Sequence, residues 1–125
     1  MIHLDTSFLI RAGWRGTPED QRLRSWVVHG EIIRLSAITW AEFLCGPVSV
    51  RAMEDAAELF GEPRALSGVD GTLAAHLFNA TGRRRGSLAD CMISAIAMNA
   101  RASLATSNVA DFQRFESLGL TLAAP

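Results

Sequence analysis

Four acidic residues stand where acids are out of place. Asp5 is the only charged residue between Met1 and Ile10, Glu42 the only one between Leu35 and Val50, and Asp90 the only one between Gly86 and Ala100. Asp111 lies just past a fourth apolar run, Leu104-Ala105, and beside Val109-Ala110. A buried, unpaired carboxylate costs several kcal/mol, a large share of the roughly 5 to 15 kcal/mol that holds a domain together, so each needs a positive partner. Carboxylates gathered in one place repel one another and suit a hard divalent cation with oxygen ligands, such as Mg2+. No His or Cys cluster at ligand spacing accompanies them, so zinc fits poorly. Taken singly, Asp5, Glu42 or Asp90 serves equally well as the ion-pair partner of an arginine. Asn108 with Asp111 three residues on also reads as a helix N-cap with an acid favoured by the dipole.

Other polar residues bear on the same chemistry. Thr6 and Ser7 follow Asp5 directly, where hydroxyls either support a carboxylate or cap a helix. Arg83, Arg84 and Arg85 form the one strong positive cluster, just ahead of the segment carrying Asp90, and a phosphate backbone brought near carboxylates needs such counter-charge. The same triplet also reads as a solvated loop. His3, His29 and His76 are scattered without acid–base spacing, and Trp14, Trp26 and Trp40 read as packing or interface residues.

Composition narrows the choices. The chain has 125 residues, 49% apolar and 20% charged, with a formal net charge of -1; it is expected to fold around one core with no room for a second. All 12 basic residues are arginine, which excludes Walker-type phosphate loops, Schiff-base lysines and receiver phosphoswitches that need a lysine. Near-neutrality argues against coating nucleic acid non-specifically, so any such contact needs a local patch. The N-terminal run lacks a basic leader and carries Asp5, so it reads as neither signal peptide nor anchor, and a cytoplasmic location is expected. Cys45 and Cys91 lie singly in apolar segments and are expected to be buried thiols.

The elements that must position the acids follow from periodicity. Strands are expected at 2–5, 32–37, 63–66, 103–106 and 120–123. Helices are expected at 6–12, 18–29, 39–45, 48–60, 70–81, 88–101 and 108–115, with Asp70 and Ser87 as caps. Strands alternating with helices imply a parallel α/β sheet covered on both faces. Asp5 then ends the first strand, Glu42 sits in the helix after the second, Asp90 lies in the first turn of the most apolar helix, and Asp111 follows the fourth. Ligand sites of open parallel sheets lie beyond the carboxyl ends of the strands, so all four can converge there.

The stretches Ile2-His3-Leu4-Asp5-Thr6-Ser7, Ala37-Ile38-Thr39-Trp40-Ala41-Glu42-Phe43, Leu88-Ala89-Asp90-Cys91-Met92-Ile93-Ser94-Ala95 and Leu104-Ala105-Thr106-Ser107-Asn108-Val109-Ala110-Asp111-Phe112 resemble the four acidic motifs of PIN-domain nucleases. At this length the chain is most similar to VapC-type toxins of type II toxin-antitoxin modules. The resemblance implies an α/β/α sandwich with a central five-stranded parallel sheet, as a single PIN-like domain over residues 1–125. It implies a Mg2+- or Mn2+-dependent endoribonuclease that hydrolyses RNA phosphodiester bonds, leaving 5′-phosphate and 3′-hydroxyl ends, with a cognate VapB-type antitoxin and a homodimer. By the family's pattern Asp5, Glu42, Asp90 and Asp111 are the catalytic, metal-binding acids, with Thr6, Thr106 and Asn108 supporting them. Cys91-Met92 and Ser94 depart from the usual stretch after the third acid. Arg83, Arg84 and Arg85 lie outside the family motif and stand as candidates for the RNA backbone. The alternatives are a metal-binding α/β interaction module and a catalytically idle PIN-like subunit.

Overall fold

A computed structural model describes residues 1–124. The three strands, β1 (Ile2–Leu4), β2 (Ile33–Leu35) and β3 (Ser103–Ala105), form a parallel sheet in the order β2-β1-β3. Leu4 pairs with Leu35 on one side and with Ala105 on the other, so the three carboxyl ends are level. The sheet is therefore three strands wide where five are expected. The two missing strands are nevertheless in place as single parallel bridges, Arg64 beside Ser36 and Leu122 beside Leu104. Arg64 spends both backbone groups on Leu35 and Ala37 before Ser67 starts a helix, while Leu120 turns its N–H to Phe115, leaving Thr121 and Ala123 to bond Leu104 alone. Each outer segment is thus too short to extend a ladder.

Among the described residues seven helices surround the sheet: α1 (Thr6–Ala12), α2 (Pro18–Val28), α3 (Ala37–Cys45), α4 (Val50–Phe60), α5 (Gly68–Ala80), α6 (Leu88–Asn99) and α7 (Val109–Phe112), the last running into a 3-10 turn (Gln113–Leu118). Their starts are written in local chemistry. Thr17, Ser36, Ser49 and Ser67 each accept a bond from the amide three residues on. Ser67 and Asp70 form a reciprocal capping box, so the cap of α5 is Ser67 rather than the expected Asp70. Ser87 makes no side-chain cap for α6; its hydroxyl donates back to Arg84 O at 2.7 Å. None of the helices among the described residues is long and apolar enough to cross a membrane.

Alternation along the strands divides the interior in two, where one core is expected. Ile2, Leu4, Ile33, Leu35 and Ala105 face a core completed by Phe8 and Leu9 of α1, Leu23 of α2, Phe43 of α3 and Phe60 of α4. Leu104 faces a second core with Leu77 of α5, Cys91, Ile93 and Ala97 of α6, and Phe112 and Phe115. A thin sheet with helices on both faces cannot have one continuous interior. Cys91 is buried as expected, whereas Cys45 is exposed, because it ends α3 beside the loop at Gly46-Pro47.

Candidate functional site

The chain turns from β1 into α1 at Asp5, and the helix N-cap geometry fixes its carboxylate. Oδ1 accepts from the Phe8 amide at 2.8 Å and from Ser7 Oγ at 2.9 Å, and Oδ2 from Thr106 Oγ1 at 2.5 Å. Thr106 follows β3, so one carboxylate ties together the ends of the two strands and the first helical turn. Ser7 extends the tie by accepting the Ser107 amide at 3.1 Å, and Thr106 Oγ1 accepts the Asn108 amide at 2.9 Å. Asp5 is 3% exposed. Burial raises its pKa against the pull of the Thr106, Phe8 and Ser7 bonds, and the charge of Glu42 raises it further.

Glu42 reaches the same place from α3. Its Oε1 accepts from Thr6 Oγ1 at 2.6 Å, and α3 is moored to β1 by Thr39 Oγ1 donating to Leu4 O at 3.2 Å. Asp90, in the first turn of α6, is half-buried and among the described residues has no such donors, its one ion-pair contact there being Arg114 Nη2 at 4.0 Å. Desolvation pushes its pKa up to about 6, and the charge of Asp111 adds to the rise, with Glu42 and Asp5 adding further and Arg114 opposing. Asp111 is held in α7 through its amide to Asn108 O at 3.0 Å. The four expected acids are thus brought to one end of the sheet, from four separate elements, close enough for their charges to act on Asp90.

They are not packed as a closed chelate. Among the described residues no three His, Cys, Asp or Glu side chains are gathered at metal-ligand spacing. The donor chemistry nevertheless fits a hard cation, since the four groups offer only oxygen and their mutual repulsion is what a cation relieves. Of the supporting residues expected, Thr6 and Thr106 touch the acids through their hydroxyls, and Asn108 does so only through its backbone, its amide bonding the Thr106 hydroxyl that holds Asp5.

Arg83, Arg84 and Arg85 are exposed on the turn between α5 and α6, with Arg83 at φ 53 and Gly86 at φ 80 shaping the reversal. Arg83 Nη1 donates to Asn79 at 2.7 Å. Arg114 is a cation that the sequence does not single out. It is mostly buried, stacks on Phe115 at 4.7 Å from the ring centroid, and is the one arginine among the described residues in ion-pair contact with an acid of the set. Its only sequence signal is a place three residues after Asp111. Glu19 is a second such residue: in sequence it belongs to a solvated helix face, yet it joins Arg11 Nε and Ser107 Oγ, both at 2.9 Å.

A family model for the PIN domain matches residues 2–118. Among solved structures, the chain is similar to one of VapBC2 from Rickettsia felis bound to a DNA fragment from its promoter, at 19% identity over 98% of each chain with a TM-score of 0.76. A structure of VapBC-1 from nontypeable Haemophilus influenzae gives 25% identity over 98% of this chain and 97% of that one, with a TM-score of 0.74. VapC20 of Mycobacterium tuberculosis, a toxin that cleaves the sarcin-ricin loop, gives 16% identity over 100% of both chains and a TM-score of 0.68. None of the curated proteins matches.

Proposed function

The chain belongs to the PIN-domain family, and from that premise we propose that it is a VapC-type toxin: a Mg2+- or Mn2+-dependent endoribonuclease, active as a homodimer in the cytoplasm and restrained by a cognate VapB-type antitoxin. The observation that carries the reading is the electrostatics of the acids. Desolvation, and with it the charges of Asp111, Glu42 and Asp5 converging from separate elements, raises the pKa of Asp90, an arrangement that makes little sense for stability and good sense for a cation site. Asp5, Glu42, Asp90 and Asp111 would hold the ion. When bound, it would lower the pKa of the attacking water and offset charge on the leaving oxygen.

The chain's own residues do the positioning. Thr106, Ser7 and the Phe8 amide fix Asp5 on a rigid strand end, and Thr6 fixes the Glu42 carboxylate against α1. Asn108 holds the Thr106 hydroxyl in place from behind. Arg83, Arg84 and Arg85, exposed just ahead of α6, are the residues we assign to the RNA backbone.

The experiment is incubation of the antitoxin-free protein with total RNA in Mg2+, Mn2+ or EDTA at equal ionic strength, followed by analysis of the product ends. Metal-dependent fragments with 5′-phosphates are expected, because water rather than a 2′-hydroxyl attacks. Cyclic phosphate ends, or cutting that persists in EDTA, would overturn the mechanism.

A further inference from the structure

Beside Asp5, on the α1 and α2 side, an open cavity of about 410 Å³ is lined by Ser7, Ile10, Arg11, Glu19, Ser107 and Asn108. Ser7 belongs to both places, since it lines this cavity and its hydroxyl donates to Asp5 at 2.9 Å. With its scissile phosphate at the acids, as the proposed function has it, an RNA strand would bring a neighbouring nucleotide to the mouth of this space.

The walls are built for hydrogen bonding rather than for charge. Arg11 is held as a fixed plane: its Nε donates to Glu19 at 2.9 Å, and its guanidinium lies 5.8 Å from the centre of the Trp14 ring. Among the described residues its terminal nitrogens have no hydrogen-bond partner, and the side chain is 45% exposed. Glu19 is itself fixed by Ser107 Oγ at 2.9 Å, is 13% exposed, and cancels the charge of Arg11. A phosphate would meet that carboxylate as a repulsive neighbour. A neutral group with two adjacent acceptors meets instead a pre-oriented guanidinium edge. The Asn108 side chain, exposed and free of any capping bond, adds a further donor, and Ile10 gives an apolar wall.

We propose that this cavity receives the nucleobase flanking the scissile phosphate and selects guanine, whose O6 and N7 match the free fork of Arg11; the inference rests on the ribonuclease reading above. Single-stranded RNA offers its bases splayed for this kind of reading, and a guanidinium paired bidentately to guanine is the commonest specific contact to a base edge. Arg11 is thus a specificity-determining residue, and Glu19 is the residue that positions it.

The test compares oligoribonucleotides carrying guanine, 7-deazaguanine or adenine next to the cut, on each side in turn. Cleavage is measured in Mg2+, and binding is read by fluorescence anisotropy in Ca2+ with wild type, Arg11→Ala, Arg11→Lys and Glu19→Gln. Wild type is expected to favour guanine over 7-deazaguanine by about tenfold or more on one side, and both Arg11 variants are expected to lose the preference. Arg11→Lys covers the case in which Arg11→Ala fails to fold. Glu19→Gln, which keeps the acceptor but not the charge, is expected to weaken the preference only partly. Equal preference in wild type and the Arg11 variants, or none in wild type, overturns the inference. An Arg11-dependent preference in binding without any cleavage leaves the subsite standing and overturns the nuclease reading instead.

Discussion

Asp5 and Asp90 are the same side chain at the same end of one sheet, in opposite circumstances. Asp5 is buried against three donors, Phe8 N, Ser7 Oγ and Thr106 Oγ1, and does structural work as the cap of α1. Asp90 is half-buried with, among the described residues, a 4.0 Å contact to Arg114 as its only ion pair, and desolvation, helped by the charges of the other acids, pushes its pKa up to about 6. One carboxylate is satisfied by the protein, and the other is left wanting a partner. A fold gains nothing from the second arrangement, whereas a cation site needs both: an anchored ligand that defines position and an unsatisfied one that supplies affinity.

The largest effect that tests this contrast is on catalysis. Asp5→Asn and Asp90→Asn both remove a charge from the acid set, so each should lose more cleavage than the roughly 100-fold that follows loss of a supporting partner. Thr106→Val, which removes the hydroxyl that holds Asp5 but no acid, should fall within that range. Rates from initial cleavage in Mn2+ decide it: a Thr106→Val loss as large as that of Asp5→Asn would mean that Asp5 is a structural anchor and not a ligand.

Next in size is the pH dependence of stability, where one buried and one half-buried group oppose each other. His3, in the middle of β1 and 2% exposed, has no partner for either ring nitrogen among the described residues. Burial lowers its pKa from 6.5 to about 4, helped by the charges of Arg64 and Arg34. The unfolded chain therefore takes that proton first, and acidification through this window removes about 3 kcal/mol of stability. Asp90 acts in reverse: its folded pKa of about 6 lies above the ordinary 3.8. The folded chain takes this proton first, and acidification adds about 1 to 2 kcal/mol once partial exposure is allowed for. Asp5, also raised, adds in the same direction. Urea titrations from pH 7 to 4 should show His3→Leu gaining stability on acidification and Asp90→Ala losing it more steeply than wild type. Parallel curves for the two variants would show that His3 and Asp90 do not act on stability in opposite directions.

These groups also mark how far the sequence can be read. The helix starts are only partly legible: Pro18 marks the start of α2, but the expected caps Asp70 and Ser87 give way to Ser67 and to no side-chain cap, and Ser49 caps a helix expected to begin at 48, because several hydroxyls and acids compete within one turn of each start. The outer strands mislead because β-branched or apolar composition says nothing about how many ladder bonds a segment makes; Arg64 makes two and the chain turns away. The acids are legible as lone charges in apolar windows, which is why Asp5, Glu42 and Asp90 stand out. Arg114 and Glu19 are not, since an arginine after Phe112-Gln113 and a glutamate in the first turn of α2 look like any solvated charge until tertiary packing encloses them. The same limit applies to His3, which is buried beside Leu104, a residue of the second core, rather than by anything along β1 itself.

A smaller effect separates the two carboxylates without any chemistry. In EDTA, Asp5→Ala should destabilise the fold by about 1 to 2 kcal/mol, because α1 loses its cap and buried donors are left unmet. Asp90→Ala should stabilise it by about 1 kcal/mol, because a repelled charge disappears and alanine favours the helix. Opposite shifts in the urea midpoint are the signature, and shifts of the same sign would count against it.

The smallest expected effect carries the contrast out to the surface. Asp90 follows the exposed turn of Arg83, Arg84 and Arg85, while Asp5 adjoins a cavity whose one arginine is already neutralised by Glu19. If the turn holds phosphates, Arg84→Gln with Arg85→Gln should weaken binding of every single-stranded RNA alike and reduce the slope of log affinity against log salt by about 0.7 for each phosphate no longer neutralised. Arg11→Ala should leave that slope nearly unchanged, because the charge it removes is already paired. The same pair of titrations therefore separates a side that counts phosphates from a side that reads a base, and equal slopes in all variants would show that the arginine turn does not touch the RNA.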